Sequence, residues 1–155
     1  GVAFHAFGIG VRREHLRSGN QPANLIYRKL RETGAQVFAT NPNAERVEGD
    51  PCYPNLREIP GGVDAVVVVT HPDQALEVAQ QCKDVGARHV WFHRSIDAGS
   101  ATPDAVALCR DYGARVIPGG CPMMHLAPVD FGHRCMRGVL SFTGRLPSQV
   151  ERSAH

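Results

Sequence analysis

"DAVVVVT", residues 64–70, decides the fold. Four consecutive valines cannot alternate between a buried and a solvated side, as a strand with one wet face must. They fit a central parallel strand covered on both faces. Such a strand needs helices above and below it, and the flanking sequence supplies them.

Downstream, "PDQALEVAQQCKDVG" (72–86) reads as a helix, with Pro72 in its first turn and Ala75, Leu76, Ala79 and Cys82 on its apolar face. "HVWF" (89–92) is the next strand. "TPDAVALCRDYG" (102–113) is a helix with Thr102 as N-cap, Pro103 at the first position and Gly113 at the end. "RVIP" (115–118) is the last strand, and "DFGHRCMRGVLSFTG" (130–144) a terminal helix capped by Asp130. Upstream, "VAFHAF" (2–7) is the first strand. "PANLIYRKLRETG" (22–34) is a helix with Ala23, Ile26, Tyr27 and Leu30 on its buried face, and "QVFAT" (36–40) is the second strand. "DPCYPNLREIPGG" (50–62) is a connection punctuated by Pro and Gly, with a short strand at Cys52 and Tyr53 and a helical turn at 56–59. The alternation predicts an α/β fold: a doubly wound, Rossmann-like parallel sheet forming a single domain over residues 1–147, with a flexible tail over 148–155.

A chain of 155 residues suits one domain with a substantial core. The net charge is +2 and the basic residues are not massed in a block, which argues against a dedicated nucleic-acid binder and leaves room for a small anionic ligand. No run is apolar enough over enough length to span a membrane. The cysteines, Cys52, Cys82, Cys109, Cys121 and Cys135, are odd in number and form no Cys-x-x-Cys pair. A disulfide framework is not indicated, and the expectation is a reduced, cytoplasmic protein. Cys82 and Cys109 fall on apolar helix faces and read as core residues.

Doubly wound sheets bind ligands outside the carboxyl ends of their strands. The first such end opens "FGIGVRREHLRSGNQP" (7–22), where Gly8 and Gly10 allow close backbone approach and Arg12, Arg13 and Arg17 add positive charge. The dinucleotide fingerprint wants a third glycine where Arg13 stands, so the alternative is a surface loop with solvated arginines. Asn41-Pro42 ends the second strand. It is either an ordinary turn or a ribose-side contact; the neutral amide disfavours NAD, which wants an acid there, without excluding NADP. In Thr70-His71-Pro72-Asp73, either Asp73 or Thr70 caps the following helix, or a ligand edge packs across Thr70 and His71. His93-Arg94 suits an anionic ligand or a partner subunit. In "PGGCPMMH" (118–125), Gly119 and Gly120 give Cys121 room. Its thiol is either packed or activated by His93, Arg94 or His125. Cys121, His125, His133 and Cys135 are zinc-ligand types, but their spacing matches no common finger, and no metal site is expected. No Gly-x-Ser-x-Gly elbow is present.

These residues resemble a family of small, stand-alone CoA-binding proteins of bacteria and archaea, whose domain is similar to the CoA-binding domain of the succinyl-CoA synthetase alpha subunit. The resemblance covers roughly residues 2–140 and rests on "SGNQPANLIYRKLRETGAQVFATNPN", "CYPNLREIPGGVDAVVVVTHP" and "VIPGGCPMM". It implies a Rossmann-like sheet binding CoA across its strand ends. Phe7, Gly8, Ile9, Gly10 and Arg12 would take the phosphates and Asn41 and Pro42 the adenosine side. Thr70, His71 and Pro72 would flank the nucleotide, and Cys121 would lie on the open ligand side. Where the family has a compact Gly-x-Ser turn after the first strand, this chain has a longer, arginine-bearing loop. CoA carries a ribose 3′-phosphate, which an acid at the second strand end would repel and the neutral "TNPN" would not.

The expectation is therefore a protein that binds CoA or an acyl-CoA, non-catalytic or regulatory. The alternatives are an NADP-linked enzyme, a thiol-dependent enzyme using Cys121, or a redox reporter in which Cys121 joins the thiol of CoA. The expected partner is a small nucleotide ligand, with no nucleic acid and no membrane; His93-Arg94 and the apolar face of residues 131–142 offer a homodimer surface.

Overall fold

The computed structural model describes residues 4–9, 22–94 and 99–125. Its strands form one seven-stranded sheet. In chain order they are β1 (Phe4–Ile9), β2 (Ala39–Thr40), β3 (Arg46–Val47), β4 (Asp50–Tyr53), β5 (Ala65–Val69), β6 (His89–Phe92) and β7 (Arg115–Pro118). The spatial order is β3-β4-β2-β1-β5-β6-β7, and only the β3–β4 pair is antiparallel. Leaving out the short β3, the parallel strands follow the doubly wound order, with the topological switch between β1 and β5.

The valine run behaves as its sequence requires. Val66 and Val68 face a core shared with Val90, Phe92 and Val116, while Val67 joins a second core on the opposite face with Ile26, Tyr27 and Met124. Each fully buried valine contributes about 2 kcal/mol, so a one-residue slip that exchanged the two faces is strongly disfavoured.

Three α-helices are described: α1 (Pro22–Glu32), α2 (Pro72–Val85) and α3 (Pro103–Asp111). α1 buries Ala23, Ile26, Tyr27 and Leu30 as its spacing predicts. α2 buries Ala75, Val78, Ala79 and Cys82, whereas Leu76 is 47% exposed. The expected apolar face was thus turned by one position, because Val78 and not Leu76 shares the helix side of Ala75 and Cys82. Gly86 ends α2 in the left-handed conformation at φ 69°, its N–H donating to the Cys82 and Lys83 carbonyls. Thr102 Oγ1 accepts from Ala105 N–H and caps α3.

The second strand is shorter than expected, only Ala39–Thr40, and the first runs on to Ile9. A β-hairpin, β3–β4, was not anticipated beyond Cys52 and Tyr53. It is fastened to α1 by charge and hydrogen bonds. Tyr27 donates to Asp50 Oδ2 at 2.7 Å, and Arg31 pairs with the same oxygen at 2.7 Å. Glu48, at the hairpin tip with φ 50°, accepts from Asn24 at 2.8 Å and Arg28 at 3.0 Å. The link from β4 to β5 makes a 3-10 turn at Leu56–Glu58, begun by Asn55 Oδ1 accepting from Arg57 N–H. The helix expected over 130–144 lies outside the described residues.

Candidate functional site

Among the described residues, the buried polar or charged ones are Thr40, Asn41, Thr70, His93 and Ser100. The first four sit at the carboxyl ends of β2, β5 and β6, and Ser100 bonds to one of those ends. Buried polar groups need partners, so their concentration at one rim of the sheet marks where the fold carries chemistry rather than packing.

At the end of β5, Ser100 Oγ accepts from Thr70 N–H at 2.9 Å and donates to the Thr70 carbonyl at 2.6 Å. Ser100 N–H in turn donates to the His93 carbonyl at 2.8 Å, and His93 N–H to the Val68 carbonyl at 2.8 Å. These bonds lock the ends of β5 and β6 together. They satisfy the backbone of Thr70 but leave its hydroxyl, in a residue only 8% exposed, without a hydrogen-bond partner. Across the switch, Asn41 is 1% exposed. Its Oδ1 accepts from Asn43 N–H at 2.9 Å, an Asx turn, while its Nδ2 has no partner. Two buried polar atoms are thus without a hydrogen-bond partner among the described residues.

Between these ends opens a cleft of about 350 Å³. Thr40, Pro42 and Thr70 form its inner wall, Pro54 and Asn55 close it on the β4 side, and Asp73, Gln74, Glu77, Val78 and Gln81 of α2 form the rest. Gln81 fixes the outer wall, its Oε1 accepting from Leu56 N–H at 3.1 Å. No side chain caps the start of α2: His71 is its N-cap residue without a capping bond, and Asp73 Oδ2 lies 3.0 Å from His71 Nδ1 instead. Of the two readings of this stretch, the cap by Asp73 or Thr70 is not made; the first turn faces the cleft with Asp73 and Gln74.

The expected site residues divide into groups. Pro42 and Thr70 line the cleft, Asn41 is buried and does not line it, and His71 and Pro72 form the entry to α2. Phe7, Gly8 and Ile9 were expected in a phosphate loop, but they belong to β1, where Gly8 is paired with Thr40 on one side and Val68 on the other. A central strand position uses its backbone groups in the ladder, so these residues are not a loop. Gly10 and Arg12 lie outside the described residues. His93, Arg94 and Cys121 belong to the other end of the rim, at β6 and β7, where Arg94 N–H donates to the Gly120 carbonyl at 3.0 Å.

Cys121 was expected on the open side, yet it is 5% exposed and packs with Val67, Met123 and Met124 in the second core. The short 3-10 turn Pro122–Met124 that it begins folds the thiol inward. Burial raises the other thiols: Cys52 and Cys109 are each pushed up to about 11, and Cys82 is pushed well above its ordinary value. Trp91 reports on this corner, its Nε1 donating to the Gly119 carbonyl at 2.9 Å. Among the described residues no group of three His, Cys, Asp or Glu side chains is arranged to hold a metal ion; His133 and Cys135 lie outside them. No described helix is long and apolar enough to cross a membrane.

Sequence reasoning missed Ser100, Asn55, Gln81 and Glu77. Ser100 sits just before a recognisable helix start and carries no pattern of its own. The other three meet only when the β4–β5 connection folds over α2.

Known proteins share the fold and the family of this chain. An acetate–CoA ligase (ADP-forming) I of Archaeoglobus fulgidus is 27% identical over 104 residues, covering 63% of this chain and 15% of that protein. The alpha subunit of acetate–CoA ligase (ADP-forming) II of Pyrococcus furiosus is 27% identical over 128 residues, covering 76% of this chain and 27% of that subunit. The chain thus spans between about a seventh and a quarter of these relatives' lengths. Among solved structures, the crystal structure of Prb, a protein redesigned for binding, superposes with a TM-score of 0.68 at 23% identity. That match covers 96% of this chain and 89% of the other, and it supports the fold. Residues 17–127 match the family model described as CoA binding domain, and the chain belongs to that family.

Proposed function

We propose that this protein binds CoA or an acyl-CoA across the carboxyl ends of β2, β1 and β5, as a non-catalytic or regulatory binding protein. The single observation that carries the reading is that Thr70, which lines the cleft, keeps a buried hydroxyl without a partner in a member of the CoA binding domain family. A buried hydroxyl without a partner costs roughly 1–3 kcal/mol, which a ligand accepting or donating there recovers. The cleft volume of about 350 Å³ lies at the lower end of small-molecule sites and suits the adenosine end of CoA. Pro42, Pro54 and Val78 offer apolar contact to a base. The pantetheine and its thiol or thioester would run toward β6 and β7, past His93 and Arg94. None of the four described cysteines is joined in a disulfide, which suits a cytoplasmic setting.

The thiol-dependent readings draw no support from the packed Cys121. Thermal stability measured with CoA, acetyl-CoA, NADP, NAD and ATP in parallel tests the proposal. Ligand binding to the folded state alone adds about 2.7 kcal/mol at a hundredfold excess over Kd. A rise with CoA or acetyl-CoA and none with NAD is expected. A rise with NADP alone would replace this reading with the oxidoreductase one.

A further inference from the structure

Resting on that reading, we propose that this chain does not read the ribose 3′-phosphate of CoA, and that its adenosine cleft accepts dephospho-CoA at least as well as CoA. The strand end that looked neutral in sequence is met in space by an acidic helix turn. Asp73 and Glu77, four residues apart on α2, both line the cleft opposite Pro42 and Thr40. Their side chains are 81% and 64% exposed, so they present carboxylates to whatever enters from solvent.

Among the described residues, the surroundings leave that charge in excess. Glu77 Oε1 accepts from Gln81 Nε2 at 3.1 Å and lies 3.7 Å from Arg57, but Arg57 spends its closer contact, 2.6 Å, on Asp84. One guanidinium therefore serves two carboxylates, and Asp73 has His71 Nδ1 at 3.0 Å. Among the described residues, the cleft lining consists of hydroxyls, amides, prolines, one valine and these two acids, with no lysine or arginine. A site that selects a phosphomonoester brings a cation or a bidentate arginine to it. A neutral base, by contrast, asks for the apolar contact that the two prolines and Val78 offer. The cleft is built for the base and is mildly repulsive to the extra phosphate.

The test is isothermal titration of the full chain with CoA and with dephospho-CoA, for the wild type and for the Asp73→Asn/Glu77→Gln variant, in low-salt buffer. Both replaced side chains are mostly exposed, and the ratio of the two affinities is internal to each protein. In the wild type, dephospho-CoA is expected to bind as tightly as CoA or up to about threefold tighter. In the variant, the ratio should shift toward CoA by about threefold, the scale of exposed charges acting through water. Preference of the wild type for CoA by more than about threefold overturns the inference and leaves the CoA reading standing. A ratio unchanged in the variant also overturns it. Binding of neither nucleotide overturns the CoA reading and the inference together.

Discussion

Ser100 holds Thr70 by both of its backbone polar groups, accepting from the N–H at 2.9 Å and donating to the carbonyl at 2.6 Å. One hydroxyl from thirty residues away thus finishes the central strand where the sheet ladder stops. Ser100→Ala leaves two buried backbone groups unsatisfied and is expected to cost about 2–4 kcal/mol, with weaker CoA binding as Thr70 loosens. Denaturant unfolding measures the first and calorimetry the second; an unchanged midpoint would remove the clasp from the account.

Gly99 makes that clasp reachable. At φ 69°, an added Cβ would sit 2.7 Å from Arg94 Cβ and 2.8 Å from the His93 carbonyl oxygen. Gly99→Ala is expected to cost more than about 2 kcal/mol, because backbone cannot swing aside as a side-chain tip can. Gly34→Ala, also at positive φ but with nothing within 4 Å of the new atom, serves as control and should cost only about 1 kcal/mol. Equal losses at the two positions would show that conformation alone, and not the crowding at Arg94, sets the cost.

Tyr27 ties α1 to the β3–β4 hairpin through Asp50, and burial together with that hydrogen bond raises its phenol well above the usual range. Tyr27→Phe should lower stability by about 1–2 kcal/mol, since Asp50 keeps Arg31 and solvent. CoA affinity should not follow, because neither residue lines the cleft. A matched loss of affinity would place the hairpin in the site.

Buried thiols and phenols make the fold sensitive to alkali. Burial lifts Cys109 from its ordinary 9.0 to about 11, and Cys82 and Tyr112 in the same core are also raised. Above pH 9 the unfolded chain sheds these protons while the folded chain keeps them. Stability is therefore complete below pH 9 and is lost as pH rises toward 11. Cys109 alone accounts for at most a few kcal/mol, roughly 1.4 kcal/mol for each pH unit by which its thiol is raised. Melting temperatures from pH 7 to 11 should fall on this course, and Cys109→Ala, slightly destabilised at neutral pH, should flatten it.

The valine run, the proline-started helices and the strand ends were legible because each follows from local pattern: both-face burial at residues 66–68, Pro72 and Pro103 at helix starts, Gly86 after a helix end. Pro42 and Thr70 reached the cleft because the topology places every parallel strand end on one rim. What failed depended on direction or on meetings between distant segments. Leu76 and Val78 differ by a rotation that apolarity alone does not fix. Cys121 turned inward on a 3-10 turn that its Gly-Gly-Cys-Pro context does not advertise. The acidic face of α2 is plain in sequence, but its place in one cleft with Pro42 exists only once the sheet has formed.

The most direct test of CoA binding at this rim is Thr70→Val, with melting temperature and CoA titration measured on the same preparation. Valine keeps the shape and removes the buried, unpartnered hydroxyl. The free protein should become more stable by about 1 kcal/mol, a rise of about 2–4 °C, while CoA affinity drops by about tenfold. Stability and binding moving in opposite directions is the result this account predicts. An affinity equal to that of the wild type would contradict it, because the strand-end hydroxyl would then have no part in holding the nucleotide.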